Sequence, residues 1–511
     1  MATASDQFQE RDLLRNGRFE DGLEGWTVFT TNGADFSVDT VAAGLEISVN
    51  GLGENSYDAM LWQLSVPVIN GYDYILRFDA WANVESDVTR SFYAKVGKDA
   101  ANYDTYGGGA FELTNQRQTY EISFEMTQPS DRCAKIEFHL GHALGTLYLD
   151  NIELLTSAPE ETDTAALSYT TPSKIGEPLR QLAQPLGLTV GAAVETSTFL
   201  CNGLHNAVLI TEFNAITAAN ALKMGPLQPQ RGQYSWEDAD RMVAFAQEHN
   251  MLFHGHTLVW HTQQPSWVEN ESFSREEMLD ILYGHIDTVM GRYAGRIELW
   301  DVVNEAIEDE TYGLRATPWQ QQIGDDYIDL AFMRARAADP SAMLLYNDYN
   351  IAQQGDRKAD AVHEMIEGMV ERGIPIDGVG FQMHWLVESP PDPEAIAQNM
   401  ARYASIGIDV YITEIDVRLS DRLPDSALND AATVYREMLR VCLEAPNCNH
   451  FTTWGISDYD SWIPGLFVGY GRAHLFDENF EAKPAYHALI EALFEEKVDG
   501  STLYFPFVIM R

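Results

Sequence analysis

Basic residues are scarce in this sequence. Its 511 residues include 33 Lys and Arg against 77 Asp and Glu, a formal net charge of −44. A field of that sign works against nucleic acid and anionic membranes as partners. The surplus acid reads as a solvated surface. Because salt screens self-repulsion, it is also compatible with working at high salt. Cysteine is scarce too. The four present, Cys133, Cys201, Cys442 and Cys448, are too few for a disulfide scaffold and lack the C-x-x-C spacing of a metal site. No stretch approaches the ~20 apolar residues of a membrane span. The opening MATASDQFQE lacks the basic flank and apolar core of a signal peptide. No glycine-rich phosphate loop follows a strand candidate, which disfavours dinucleotide redox enzymes and nucleotide binders.

What is present is ordinary globular material, 45% hydrophobic and 11% aromatic, enough for about two to four domains. Residues 8–156 read as all-β. YDYILRFDAWA, SFYAKVG, QTYEISFEM and AKIEFHL alternate apolar and polar positions between turn residues, which predicts a two-sheet, jelly-roll-like β-sandwich. Residues 157–174 are rich in Ser, Thr, Pro and acid without a clear period, as in a linker. Over residues 175–496, apolar runs of strand length alternate with helical stretches such as EDADRMVAFAQEHN. The strand candidates, in order, contain LTVGAAV, AVLITEFNAI, LFHGHTLVW, IELWDVVNEA, MLLYNDYN, IDGVGFQMHW, IDVYITEIDV and HFTTWGIS. This is the pattern of a (β/α)8 TIM barrel. Residues 497–511 form a tail with no assigned role.

The strands begin apolar and end polar. In a barrel the apolar starts fill the interior, and the polar ends stand at the C-terminal mouth, where barrel enzymes build their sites. Glu305 ends the fourth strand and Glu414 the seventh. Strands four and seven lie across a narrow barrel from each other, so both carboxylates can face one mouth. Paired carboxylates are what glycoside hydrolysis needs: one protonates the leaving oxygen, the other stabilises or attacks the anomeric carbon. Asn304 can bond a sugar hydroxyl. His384, ending strand six, can reach Glu414 and keep it ionised. Asp416 lies on the same strand face as Glu414 and can orient His384.

WDVVNEAI and VYITEIDV resemble the catalytic segments of glycoside hydrolase family 10, chiefly endo-β-1,4-xylanases. The similarity continues in order through FNAIT, GHTLVWHTQQPSW, LLYNDYN, IDGVGFQMHW, WGISDYDSWIPG and LFDENFEAKPAY. It implies a retaining mechanism with Glu305 as acid/base and Glu414 as nucleophile, and no catalytic cofactor. It also implies that Asn220, Lys223, His256, Trp260, Gln263, Asn304, Gln382 and His384 grip sugar hydroxyls, that Trp454 and Trp462 floor and cover those sugars, and that His261, Asn347, Asn350 and Asp416 support them. The family's usual Thr-x-Glu-Asn-x-x-Lys-Trp is altered here: TAANALKM places Ala219 where the Glu is expected and Met224 where the Trp is expected. Weaker glycone binding or a shifted preference is the expected consequence. The resemblance further implies a Cys442–Cys448 disulfide, which suits an exported protein. Cys133 and Cys201, expected in different domains, read as isolated core residues.

LLRNGRFEDGLEGWTVF and GTLYLDNIEL bracket the first region and resemble carbohydrate-binding modules of families four, nine and twenty-two. Asn16, Gly17, Phe19, Trp26 and Tyr148 then read as structural. Glu20 and Asp150 become candidates for a structural calcium site. Trp62, Trp81, Tyr93, Tyr103 and Tyr106 become candidates for sugar stacking. The leading expectation is a secreted, monomeric endo-β-1,4-xylanase acting on xylan and xylo-oligosaccharides, with no nucleic-acid or membrane partner. A related β-1,4-glycanase and a non-catalytic glycan-binding protein stand as alternatives.

Overall fold

Strand Asp73–Ala82 shows how the first region folds. Every second residue of it is buried, so Tyr74, Leu76, Phe78, Ala80 and Ala82 face a core while their neighbours face outward. The structure, a computed structural model, describes residues 11–158 and 169–502, apart from positions 21, 24, 32, 43, 87, 99–103 and 129. The chain divides into two compact units, Met1–Thr164 with Ser197–Asn202, and Ala165–Thr196 with Gly203–Arg511.

The first unit is the expected antiparallel sandwich. One sheet runs in the order Asp35–Val41, Gly44–Gly51, Gly145–Thr156, Asp73–Ala82, Gln118–Glu125, with Arg11–Asp12 paired to Gly145–Thr156. The other runs Thr27–Thr30, Ala59–Val68, Asp131–His139, Arg90–Gly97, Thr105–Leu113. Between them Phe78 packs edge-on against Phe92, Phe111 and Phe138. The bracket residues are structural: Phe19 and Trp26 are buried, and Trp26 Nε1 donates to the Asn16 carbonyl at 3.2 Å. A Cβ on Gly17 would lie 1.8 Å from the Ile152 carbonyl oxygen, so only glycine fits there.

The second unit is a closed barrel of parallel strands: β1 (Thr189–Val194), β2 (Ala215–Ala218), β3 (Leu252–Gly255), β4 (Leu299–Asn304), β5 (Met343–Asp348), β6 (Gly378–Phe381), β7 (Asp409–Ser420) and β8 (Cys448–Thr453). Each pairs with the next, and β8 pairs with β1 to close the ring. All the expected strands are present, with one correction. In AVLITEFNAI only the end is strand, while Gly203–Glu212 is helix. Its buried residues His205, Val208, Leu209 and Glu212 recur at helical spacing, a pattern the apolar run disguised. β7 continues beyond the barrel wall and there pairs with a short strand, His384–Leu386, in a register that sets His384 beside Asp416.

Two boundary expectations and one about cysteine change. The latter part of the presumed linker belongs to the second unit, where Tyr169 donates to Glu212 at 3.1 Å and Thr171 bonds Tyr486 at 3.0 Å. Residues 159–168 lie outside the described residues. The last helix, Pro484–Thr502, runs past 496, so the tail expected from 497 starts no earlier than 503, and 503–511 lie outside the described residues. Cys133 and Cys201 are not isolated: they are bonded to each other, Cα atoms 5.2 Å apart, because Ser197–Asn202 clusters with the first unit. The expected Cys442–Cys448 disulfide is present.

Candidate active site

Glu305 is the first residue past β4, and it turns the chain sharply. Its φ is +55°, a left-handed conformation that a non-glycine residue adopts only when its surroundings impose it. The Glu305 N–H donates to the Asn347 carbonyl at 2.9 Å, and Arg315 Nε donates to the Glu305 carbonyl at 3.2 Å. The carboxylate accepts from Trp260 Nε1 (2.8 Å) and Gln382 Nε2 (2.9 Å). Glu414 sits within β7 and is buried. It accepts from Asn347 Nδ2 (2.7 Å) and bonds His384 Nε2 (3.1 Å). The Asn304 amide lies between the two acids, 2.9 Å from Asn347 Nδ2 and 3.2 Å from Gln382 Nε2. A chain of three amides therefore joins Glu305 to Glu414. A Cβ on Gly380 would come within 2.2 Å of Asn347 Oδ1, so that glycine makes room for the amide that holds Glu414.

The imidazole of His384 is clamped between two carboxylates, Nε2 on Glu414 and Nδ1 on Asp416 at 3.0 Å. Burial works against its charge, but Asp416 and then Glu414 outweigh burial and push the imidazole up to about 10. At neutral pH His384 is thus a cation donating from both nitrogens. Asp416 also accepts from Trp462 Nε1 at 2.8 Å, which fixes that indole 5.0 Å from the His384 ring. Trp454 packs edge-on against His256 (5.1 Å) and His384 (6.5 Å). His256 Nδ1 lies 2.8 Å from Asp301 and 3.9 Å from Glu414. Asp301 is buried, which raises its pKa, but His254 and His256 outweigh burial and hold it at about 2.

Asn220, Lys223, Gln263 and Trp260 form a second connected group. Asn220 Oδ1 accepts from Lys223 Nζ (3.0 Å) and Gln263 Nε2 (3.1 Å). Lys223 Nζ stands 4.7 Å over the Trp260 ring, whose N–H is on Glu305. Gln263, also left-handed at φ +47°, is exposed. Burial lowers the Lys223 pKa, while Glu414, Glu195 and Glu305 draw it back up. Ala219 and Met224 are buried, and Met224 lines a small cleft with Lys223, Trp260 and Trp319.

The supporting residues divide. Asn347 is central. His261 Nδ1 is 3.9 Å from Glu305, and burial lowers its pKa. Asn350 occupies an exposed turn at φ +57°, and no hydrogen bond among the described residues joins its side chain to either carboxylate. Sequence reasoning passed over Asp301 and His254, although an acid inside the apolar run of WDVVNE was a signal. It also passed over Glu195, which follows β1 and accepts from Asn220 Nδ2 through both oxygens, at 3.0 and 2.9 Å.

The profile of glycosyl hydrolase family 10 matches residues 178–492. The chain belongs to glycosyl hydrolase family 10. A carbohydrate-binding domain profile matches residues 11–146. Endo-1,4-beta-xylanase B of Thermotoga neapolitana is 41% identical over 327 residues, 63% of this chain and 92% of the relative. Endo-1,4-beta-xylanase C of Paenibacillus barcinonensis is 31% identical over 437 residues, 79% of this chain and 40% of the relative. Among solved structures, xylanase 10B from Thermotoga petrophila in complex with xylobiose is 39% identical, with a TM-score of 0.61 over 63% of this chain and 98% of that one.

In this family 10 chain the carbohydrate-binding unit carries a cluster of its own. On the outward side of the sheet containing Ala59–Val68, Asp131–His139 and Arg90–Gly97, register aligns Trp62 with Glu137 and Lys95, and His139 with Tyr93. Glu137 is buried and is met by Lys135 (2.8 Å), His139 (2.9 Å) and Lys95 (3.2 Å). Burial opposes its charge, yet His139 and the lysines hold it at about 2. Lys135 Nζ stands 4.5 Å over the Trp62 ring, and Tyr93 lies 5.2 Å from His139. The other stacking candidates fare differently. Trp81 has its faces taken, stacked on Tyr148 at 4.9 Å and under Arg117 at 5.1 Å. Tyr106 packs against the core and donates to Asp131. Tyr103 lies outside the described residues. Glu20 and Asp150 do not fit a calcium site. Arg117 already supplies the positive charge at Asp150, 2.6 Å away, and also binds Asp79, while Glu20 is exposed.

Proposed function

We propose that the barrel hydrolyses internal β-1,4-xylosidic bonds of xylan with retention, Glu414 acting as nucleophile and Glu305 as acid/base. The observation that carries this reading is the unequal setting of the two linked carboxylates. Glu414 is bonded to a charged imidazole, a partner that complements the carboxylate of an attacking group. Glu305 is bonded to neutral N–H groups only, at the more open position, with a side chain 12% exposed against 5% for Glu414. In the first step Glu305 gives its proton to the leaving oxygen. Once the sugar is esterified to Glu414, Glu305 takes a proton from the attacking water. Trp454 and Trp462 offer apolar faces to the sugar, while Asn304, Gln382, His256, Lys223 and Asn220 offer polar groups to its rim.

Xylan is the substrate that the relatives' names support. The first unit then serves as a xylan-binding module, with Trp62 and Tyr93 as its sugar-facing aromatics. Action on a polymer outside the cell, by a monomer, agrees with two disulfides and with a site formed within one chain. Ala219 and Met224 favour a second reading, a β-1,4-glycanase of shifted preference. Product analysis separates the two: soluble xylan, mixed-linkage glucan and carboxymethyl-cellulose, each with a Glu414→Gln blank. Short xylo-oligosaccharides from the native chain alone establish the first reading. Release from a glucan but not from xylan establishes the second.

A further inference from the structure

Glu195 is a carboxylate at the barrel mouth that the proposed mechanism does not use. It is the first residue beyond β1 and is only partly exposed. Burial raises its pKa, with Asn220 and Lys223 pulling it down and Asp460 pushing it up. Its two oxygens share a single Asn220 N–H group, so each keeps lone-pair capacity for another donor. No arginine or lysine meets it in an ion pair among the described residues. An acid in such a position is costly unless something else uses it.

Its place relative to the reacting pair is set by Lys223. The Lys223 ammonium stands over the Trp260 ring, whose N–H is on Glu305, and bonds Asn220, whose amide nitrogen is on Glu195. The order along the mouth is therefore reacting carboxylates, then Lys223 and Asn220, then Glu195. In the proposed mechanism one sugar is bonded to Glu414, and the next sugar of the chain extends along this row toward Glu195. The neighbouring strand end leaves room. The Ala219 N–H donates to the Val194 carbonyl at 3.1 Å, which sets position 219 beside the Val194–Glu195 peptide, and there Ala219 presents only a methyl group.

We infer that Glu195 is a specificity-determining residue that accepts hydroxyl hydrogens from the second glycone sugar, doing from the end of β1 what an acid at position 219 would do from the end of β2. The inference rests on the xylan-hydrolysis reading above. It assigns Glu195 a direct sugar contact, distinct from merely orienting Asn220.

The test compares aryl β-xylobioside, which fills both glycone positions, with aryl β-xyloside, which fills one. In the full chain, Glu195→Ala lowers kcat/KM on the xylobioside by about 10–100-fold, mostly through KM, and changes it on the xyloside by less than about threefold. Glu195→Gln, isosteric and still able to hydrogen-bond, loses about 3–10-fold on the xylobioside alone. Glu195→Ala combined with Ala219→Glu recovers most of the xylobioside activity. Equal losses on both substrates mean that Glu195 only positions Asn220, and overturn the inference while leaving the xylan-hydrolysis reading intact. Unchanged kinetics on both do the same. A native chain that cleaves neither aryl glycoside nor xylan overturns the xylan-hydrolysis reading, and the inference with it.

Discussion

The barrel mouth and the outward sheet face of the first unit both bury charge beside tryptophan, and they dispose of it in opposite ways. On the sheet one carboxylate, Glu137, is met by two lysines and a histidine. At the mouth three acids, Glu414, Asp416 and Asp301, share His384, His256 and His254, while amide and indole N–H groups hold Glu305 and the other side of Glu414. A carboxylate surrounded by cations is spent on holding the surface together. A carboxylate held by neutral donors and one imidazolium stays available to attack or to exchange a proton. The difference separates a surface that binds from a site that reacts.

The largest break in that comparison is Glu414→Gln, which keeps the shape and removes the proposed nucleophile. It lowers kcat on xylan by about 10⁴-fold or more, whereas Glu137→Gln leaves kcat on soluble xylo-oligosaccharides unchanged; steady-state kinetics on both variants checks this. Glu305→Ala comes next. It costs about 10²–10⁴-fold on xylan and far less on aryl glycosides, whose leaving groups need little protonation. Glu137→Gln in turn removes the buried carboxylate that meets Lys95 and Lys135, and destabilises the first unit by about 3–5 kcal/mol in denaturant unfolding.

The two clusters also part in their response to pH. Glu137 is held at about 2, below its ordinary 4.5, so its contribution to stability is complete above pH 4.5 and is lost as pH falls toward 2. His384 is held at about 10, above its ordinary 6.5, so its contribution is complete below pH 6.5 and is lost as pH rises toward 10. Asp416→Asn removes the leading cause that sustains the His384 charge. The alkaline limb of kcat/KM then moves to lower pH, with about a tenfold loss at pH 8–9 relative to pH 6. An alkaline limb identical to the native one sinks the clamp. The smallest effect expected is Trp62→Ala: about a tenfold loss of affinity for insoluble xylan in a pull-down, with soluble-substrate kinetics intact.

Much of this was legible in the sequence because strand ends carry their chemistry in order. The rule that strands begin apolar and end polar pointed to Glu305, Glu414 and His384, but two placements change: Glu414 lies inside β7, which runs on to Ser420, and His384 lies not at the end of β6 but on the short strand that pairs with β7 beyond it. Glu195 obeys the same rule at the end of TVGAAVE, yet a single acid before a helical run gives no sign that it will grip Asn220 from the next strand. The Cys133–Cys201 bond was hidden by 68 residues of separation and by a segment whose packing partner is distant in sequence. The AVLITE helix was hidden because a short apolar run fits a strand as well as a helix. Choosing Trp62 over Trp81 needed the ring neighbours, which only the folded sheet supplies.

In the proposed mechanism Glu414 attacks the sugar while Glu305 serves the leaving oxygen. Incubating the native chain with an activated 2-deoxy-2-fluoro-xylobioside, which slows the second step, and mapping the product by peptide mass spectrometry tests that claim directly. One fluoro-xylobiosyl group on the peptide containing Glu414, absent in Glu414→Gln, is the result predicted. An adduct on any other residue, or turnover to the α-configured sugar without an adduct, would contradict it.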